Sequence, residues 1–407
     1  MVDSQALRAG EAVTEVAFEC RSPTGKCCLA ARLRSWVKQL TLPLPTVAVA
    51  AVVLAGCASV ERSYQANLFL HDIQAKPDDE TWLKRTSDEP QRDKITIAIN
   101  GAENPAWLYR PQATAAGSIV LVPGLSEEGR DDQRLKGFAD SLARLGYRVL
   151  LPDMSAHGEM RWSDNAIDDI KQVISHMAAR QGSQGLPLGA VAMSAMGGPT
   201  LLAVAENKLQ GEVEFVTLIG SYFDLKAWLE FITTGYDSLA DSHDLSPVDG
   251  VRWQLLQQLV HWGGTAEDNH WLNQIARRRL ANPEASIDVE RNALSNQAAV
   301  LVDLLVNDQH AEFAELYQQL PRLYKQELAE LDLAGRDWSD FRPDLLLVHG
   351  TRDRIIPLSH SAALSDAVPE AKLYRITGLS HTELDLARFD SLRLWRAAAA
   401  ILEYRAQ

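Results

Sequence analysis

Short, unbroken apolar runs recur along the chain and are separated by stretches whose apolar residues fall at helical spacing. "SIVLVPG" (118–124), "YRVLLPD" (147–153), "GAVAMS" (189–194), "EFVTLIG" (214–220), "DLLLVHG" (344–350) and "AKLYRIT" (371–377) do not alternate polar with apolar. Such runs suit strands of a parallel sheet covered by helices on both faces. Between them, "DDQRLKGFADSLARLG", "NAIDDIKQVISHMAAR" and "MGGPTLLAVAEN" carry the helical period. Upstream, "KITIAI" (94–99) and "PAWLYRP" (105–111) flank "NGAEN", whose Asn100-Gly101 pair is a turn signal. The pattern predicts an α/β protein: a doubly wound, mostly parallel sheet that begins with an antiparallel hairpin.

The alternation stops at Phe223. From 223 to 340 the patterns are helical ("GVRWQLLQQLVHW", "AAVLVDLLVNDQHAEFAELYQQL"), and the strands then resume. A helical block between two strands of one sheet is an insertion, expected over the sheet's C-terminal edge as a lid. The core is accordingly divided into 93–222 and 341–407, the latter ending in the helix "DSLRLWRAAAAILEY". Trp228, Trp253, Trp262 and Trp271 concentrate in the insertion. They either pack its helices or line an apolar acyl pocket.

Ahead of the core, Arg32, Arg34 and Lys38 precede an apolar run from Leu40 to Ala55, followed by Gly56 and Cys57. This is the layout of an export signal, and the run is shorter than a membrane-spanning helix needs. Leu54-Ala55-Gly56-Cys57 resembles the lipobox of bacterial lipoproteins. The resemblance implies a leader and signal over 1–56 and a lipid on Cys57, the first mature residue. With Ala58 next, it also implies the outer membrane, facing the periplasm of the cell envelope. An ordinary secretion signal with a chance cysteine is the alternative. Residues 57–92, polar and irregular, read as a tether.

Formal charge is −14 at pH 7. That excludes a nucleic-acid partner, because phosphate binding needs clustered Lys and Arg. Beyond Cys57 there is no further cysteine, so neither a disulfide framework nor a thiolate site is expected. His243, His261 and His270 lack metal-ligand spacing with carboxylates, and no metal or other cofactor is expected.

Ser194 at the end of one strand run, Asp353 in "HGTRDRIIP" and His381 in "GLSHTEL" follow one another in an order that resembles the α/β-hydrolase fold over residues 94–405. The resemblance implies a Ser…Asp…His triad. A serine hydroxyl needs an imidazole to take its proton, the role of His381, and the imidazole needs a buried carboxylate, the role of Asp353. An oxyanion hole would use the backbone N–H of Ala195 and, from the loop after "SIVLVPG", of Leu125, since Pro123 has none. Arg130 in that loop either touches substrate or braces it. Asp224 is the alternative acid, and His157 in "LLPDMSAHGEM" matches a structural loop of the family.

The elbow around Ser194 has two registers. With Ser194 at the tip, Ala192 and Met196 stand two residues before and after it; shifted by one, Met193, Ala195 and Gly197 take the three places and no nucleophile remains. "AMSAMGG" resembles the Gly-x-Ser-Tyr-Ala-Gly-Gly turn of a subset of bacterial α/β-hydrolases, which favours Ser194. The resemblance implies a lipid-anchored serine hydrolase that cleaves a small-molecule ester or related acyl bond. The alternative is a ligand- or partner-binding lipoprotein on the same scaffold with a degenerate elbow. Peptidase, thioesterase and acyltransferase chemistry remain open on the same triad.

Overall fold

The computed structural model describes residues 44–406 except 77, 126–127, 155–161, 182–184, 207 and 382–390, and of 44–58 the backbone alone. The leader, the charged part of the signal and the side chain of Cys57 lie outside what is described. The chain divides into two compact units, Met1–Ser63 and Tyr64–Gln407. Helix α1 (Leu44–Gln74) ends in the second unit, and among the described residues no helix is long and apolar enough to cross a membrane.

Eight strands form one sheet: β1 (Gln91–Ile99), β2 (Ala102–Arg110), β3 (Gly117–Val122), β4 (Tyr147–Pro152), β5 (Leu188–Met193), β6 (Phe215–Ile219), β7 (Asp344–Gly350) and β8 (Lys372–Ile376). Their order is β1-β2-β4-β3-β5-β6-β7-β8. β1 and β2 form the antiparallel hairpin, β2 meets β4 antiparallel, and every later pairing is parallel. Successive residues of one strand enter opposite cores. Val120 and Val122 of β3 face one apolar cluster and Ile119 and Leu121 the other; in β7, Leu345 and Leu347 divide from Leu346 and Val348 in the same way. Both faces being covered, the strands need no polar positions, which is why their runs are continuous.

One face carries α4 (Asn165–Gln181), α5 (Gly197–Val204) and α13 (Leu358–Ala367) together with the insertion; the other carries α3 (Gln133–Arg144), α14 (Ser391–Ile401) and the end of α1. Here the irregular tether expected over 57–92 is corrected. Ala66, Phe69 and Leu70 are buried in the second core, with Phe69 edge-on to Phe138 at 5.4 Å. Asp72 accepts a 2.6 Å bond from Ser141 Oγ, and a short helix, α2 (Trp82–Thr86), follows. Polar side chains that suggested a loop belong to the outer face and cap of a docked helix.

Between β6 and β7 the described chain contains α6 (Leu225–Thr234), α7 (Val251–Leu259), α8 (Ala266–Ala281), α9 (Asp288–Ala293), α10 (Asn296–Val306), α11 (His310–Gln319) and α12 (Arg322–Leu331). Asp237 and Ser242 add one isolated bridge. The two ends of the insertion are stitched together. Phe223 O accepts from the amides of Leu333 and Ala334, both at 3.1 Å, Tyr222 Oη donates to Leu331 O at 2.9 Å, and Asp332 Oδ1 accepts from Leu225 N at 2.7 Å.

Burial pushes the Asp332 carboxyl up to about 6, the bond from Leu225 N opposing the rise and the Asp224 charge adding to it. A raised carboxyl favours the protonated folded form. The stabilisation is therefore complete below the ordinary aspartate range and is lost as pH rises through about 6. Asp332→Asn keeps an acceptor for Leu225 and removes the charge. Thermal unfolding should show the variant more stable than the parent at pH 8 and matched to it at pH 4.

Candidate active site

Ser194 follows the last residue of β5 with φ at +57°. An L-residue pays about 1–2 kcal/mol for that left-handed conformation, and it persists only where the surroundings fix it. A tight 3-10 turn, Ser194–Met196, carries the chain from strand into α5, and the Gly197 amide closes it onto Ser194 O. The bend brings Ser194, not Ala195, to its tip, so the serine register is the one that forms.

The Met196 side chain is fully buried in the core cluster that also contains α4 and the insertion. Ala192 is equally buried within β5. Lack of side chain is needed one and two residues later. A Cβ on Gly197 would overlap Ser221 and one on Gly198 would overlap the Tyr222 ring. The start of α5 therefore lies directly against the turn after β6, and the glycine pair is what lets the helix leave the bend.

The three predicted triad side chains meet. Ser194 Oγ is 2.6 Å from His381 Nε2, and His381 Nδ1 is 2.7 Å from Asp353 Oδ2. A carboxylate accepts, so Nδ1 carries the proton and Nε2 is left to accept from the serine hydroxyl. Asp353 is wholly buried. Its Oδ1 accepts from the amides of Ile355 at 2.8 Å and Ile356 at 3.0 Å. Burial alone would raise its pKa, but the adjoining rings of His349 and hydrogen-bonded His381 outweigh it and hold the carboxyl well below the usual carboxylate range.

Two glycines make this meeting possible. At the end of β7, a Cβ on Gly350 would collide with the carbonyls of Leu379 and Ser380, so the segment bearing His381 can lie on β7 only because position 350 is bare. Gly220, after β6, has φ at +64°, and a Cβ there would sit 3.2 Å from His381 Nδ1 and 3.4 Å from Asp353 Oδ2. The backbone at Gly220 thus forms the floor under the acid and base. On the serine's other side, a Cβ on Gly124 would stand 3.3 Å from Ser194 Cβ. That approach brings the loop after β3, with half-buried Leu125, beside the nucleophile, and Ala195 follows directly in the turn.

The remaining candidates have other work. Asp224 caps α6, its Oδ1 accepting from Ala227 N at 2.9 Å. Arg130 braces the loop: its Nε donates to Asp153 Oδ2 at 2.9 Å and its guanidinium lies 5.7 Å from the Trp107 ring centre. His157 falls outside the described residues. His243 lies against Tyr236 and His270 against Trp271. Trp228, Trp253 and Trp262 are buried. Trp162 meets Trp228 edge-on at 5.7 Å and Trp262 at 5.4 Å, so these tryptophans pack rather than line an open pocket.

Contacts that sequence reasoning missed surround the acid. Trp228 Nε1 donates to Ile355 O at 2.7 Å. Arg354 donates from Nε to Ser246 O at 2.7 Å, and its own carbonyl accepts from Val248 N at 3.1 Å. His349, inside the quoted "HGTRD", is fully buried with its Nε2 3.4 Å from Asp353 Oδ2. Strand and motif were visible in the sequence, but not which way its ring points.

A family model described as the alpha/beta hydrolase fold matches residues 117–384. The chain belongs to that family, and is by that membership a hydrolase enzyme. No curated protein matches it. Among solved structures it is similar to a hyperthermophilic esterase from the archaeon Pyrobaculum calidifontis, at 17% identity over 91% of this chain and 96% of that one, TM-score 0.44. It is also similar to an alpha/beta hydrolase superfamily protein from Enterococcus faecalis, at 14% identity, 77% and 98% coverage and TM-score 0.44. A third is a meta-cleavage product hydrolase from Pseudomonas fluorescens, at 16% identity, 76% and 96% coverage and TM-score 0.40.

Because the Gly350 collision is with backbone, a methyl there must move the segment that carries His381. Gly350→Ala should lower turnover of an activated ester about tenfold or more, with the fold retained by circular dichroism, since displacements near 1 Å are costly to catalysis.

Proposed function

We propose that the chain is a lipid-anchored serine hydrolase that cleaves a carboxylic ester or a related acyl bond through Ser194, His381 and Asp353. The observation that carries this reading is the unbroken hydrogen-bonded series from Ser194 Oγ through His381 to Asp353, with the serine at a strained bend.

In the proposed cycle His381 Nε2 takes the hydroxyl proton as Ser194 Oγ bonds to the acyl carbon. Negative charge collects on the carbonyl oxygen, toward which the amides of Ala195 and Leu125 would be directed. The tetrahedral species collapses, the C–O bond to the leaving alcohol breaks, and His381 returns the proton to that alcohol. Water then attacks the acyl-enzyme by the same route, releasing the acid and restoring the serine. Throughout, Asp353 stays ionised and holds the imidazole in one tautomer while its positive charge comes and goes. The low carboxyl pKa keeps that role available at any pH where the imidazole can act as base.

Burial of Ala192 and of the Met196 side chain supports this reading over a degenerate, non-catalytic elbow, since the two departures that motivate the alternative both face the core and leave Ser194 at the tip. The lipobox-like Leu54-Ala55-Gly56-Cys57 supports the anchor and a location in the bacterial envelope, at the outer membrane facing the periplasm.

A fluorophosphonate probe should label the protein and leave Ser194→Ala unlabelled, with ester turnover falling at least about 10⁴-fold in the variant. Equal labelling of both would refute the nucleophile. In a bacterial host, labelled fatty acid should enter the protein and be lost from Cys57→Ala; incorporation that survives the substitution would remove the anchor.

A further inference from the structure

Beyond the triad, the acid has a second histidine at its back. His349 stands one residue before the end of β7, with no exposed surface. Its Nε2 lies 2.8 Å from Ile356 O and 3.4 Å from Asp353 Oδ2, and its Nδ1 lies 2.6 Å from the hydroxyl of buried Ser361. A carbonyl only accepts, so Nε2 carries a hydrogen; in the neutral ring Nδ1 must then accept, and Ser361 Oγ–H donates to it. The partners thus select one tautomer. Its N–H donates to Ile356 O, and Nε2 stands 3.4 Å from the carboxylate oxygen that receives His381.

We infer that His349, held in this tautomer by Ser361, is a positioning residue for the Asp353 carboxylate, so that the working series runs Ser361–His349–Asp353–His381–Ser194. The inference rests on the serine-hydrolase reading for its effect on turnover. Three features favour it. The acid turn wraps on the His349 ring: Ile356 N donates to Asp353 Oδ1 while Ile356 O receives His349 Nε2–H, so one residue bridges ring and carboxylate. Ser361 reaches the ring because α13 begins at Leu358 and delivers it one turn later. Finally, the carboxyl is held low despite complete burial, with the His349 ring at 3.4 Å and the His381 ring at 2.7 Å from its Oδ2.

Among the described residues, the titratable groups facing His349 are Asp353, His381 beyond it and His360 from α13. His360 is fully buried, and burial pushes its pKa down to about 3. Its Nδ1 accepts from the amides of Phe223 at 3.2 Å and Asp224 at 3.4 Å, so it is a neutral neighbour. The positive end of the His349 N–H dipole, 3.4 Å from the oxygen that stabilises protonated His381, weakens the hold of that oxygen on the imidazolium. Without it, that oxygen holds the imidazolium more tightly and His381 releases its proton at higher pH.

The test uses the full chain, with Ser361→Ala, His349→Gln and His349→Leu. Ring-carbon NMR of labelled histidine, assigned through His381→Asn, follows the His381 ionisation directly and needs no turnover. The pH dependence of ester hydrolysis gives the kinetic counterpart. His349→Leu should raise the His381 midpoint by about half a pH unit, about threefold in proton affinity. Ser361→Ala should move it less in the same direction. Gln, whose amide can place an N–H near the Nε2 position, should return it toward the parent value. A purely structural role predicts lower thermal stability with an unmoved midpoint. That result, or a Gln variant no nearer the parent than Leu, overturns the inference. Should the Leu variant fail to fold, Ser361→Ala decides. Failure of the hydrolase reading is distinguishable: the parent would show no fluorophosphonate labelling, while the His381 midpoints would still report on His349.

Discussion

The carboxylate of Asp353 is the point at which separate parts of the chain are made to agree. It is buried, and a buried charge is tolerated only when every oxygen is hydrogen-bonded. Two backbone amides of its own turn, His381 from beyond β8 and the nearby ring of His349 meet that demand. The amides and His349 lie within residues 349–356 around the acid, whereas His381 comes from a distant stretch and is in place only if β7 and β8 are registered side by side. Bare positions at Gly220 and Gly350 then let backbone and imidazole approach closely enough to complete the set. In this sense the active-site acid checks the assembly of the sheet edge on which it stands.

The nucleophile faces the opposite problem. Ser194 is held in a conformation that its own chemistry disfavours, and strand pairing on one side and helix packing on the other supply the restraint. Polar strain at the tip is offset by apolar order just below it, where Met196, Ala192 and Ala195 are all buried. Methionine suits such a place because it is unbranched and can fill an irregular gap. Its presence after the serine is thus a matter of core packing, and the restriction on size has moved to Gly197 and Gly198, which touch the next turn of the sheet.

Strands were legible in the sequence because burial on both faces leaves a mark that one segment carries alone: an unbroken apolar run ending at Gly, Pro or Asp. The serine, acid and histidine were legible through their order at the ends of those runs. Less could be read wherever the answer depends on a second, distant segment. Whether Met196 points inward is decided by the core formed by α4 and the insertion, and His349 acquires its partners only when α13 folds back over β7. The docked end of α1 is a different case. Ala66, Phe69, Leu70 and Ile73 do keep helical spacing, but the acidic and polar residues among them, Asp72 included, hid a helix that a count at that period would have found.

Trp228 and the stretch 246–248 hold the acid turn from outside, by the bonds to Ile355 and Arg354. These contacts come from the insertion, and they change what an open form of the molecule can mean. An insertion free to swing as one body would withdraw the outer bonds of the acid turn at the moment it admitted substrate. Access and competence would then oppose one another. The first part of the insertion is therefore a buttress of the acid turn, and the order of the acid is bound to the packing of α6 and the 246–248 stretch.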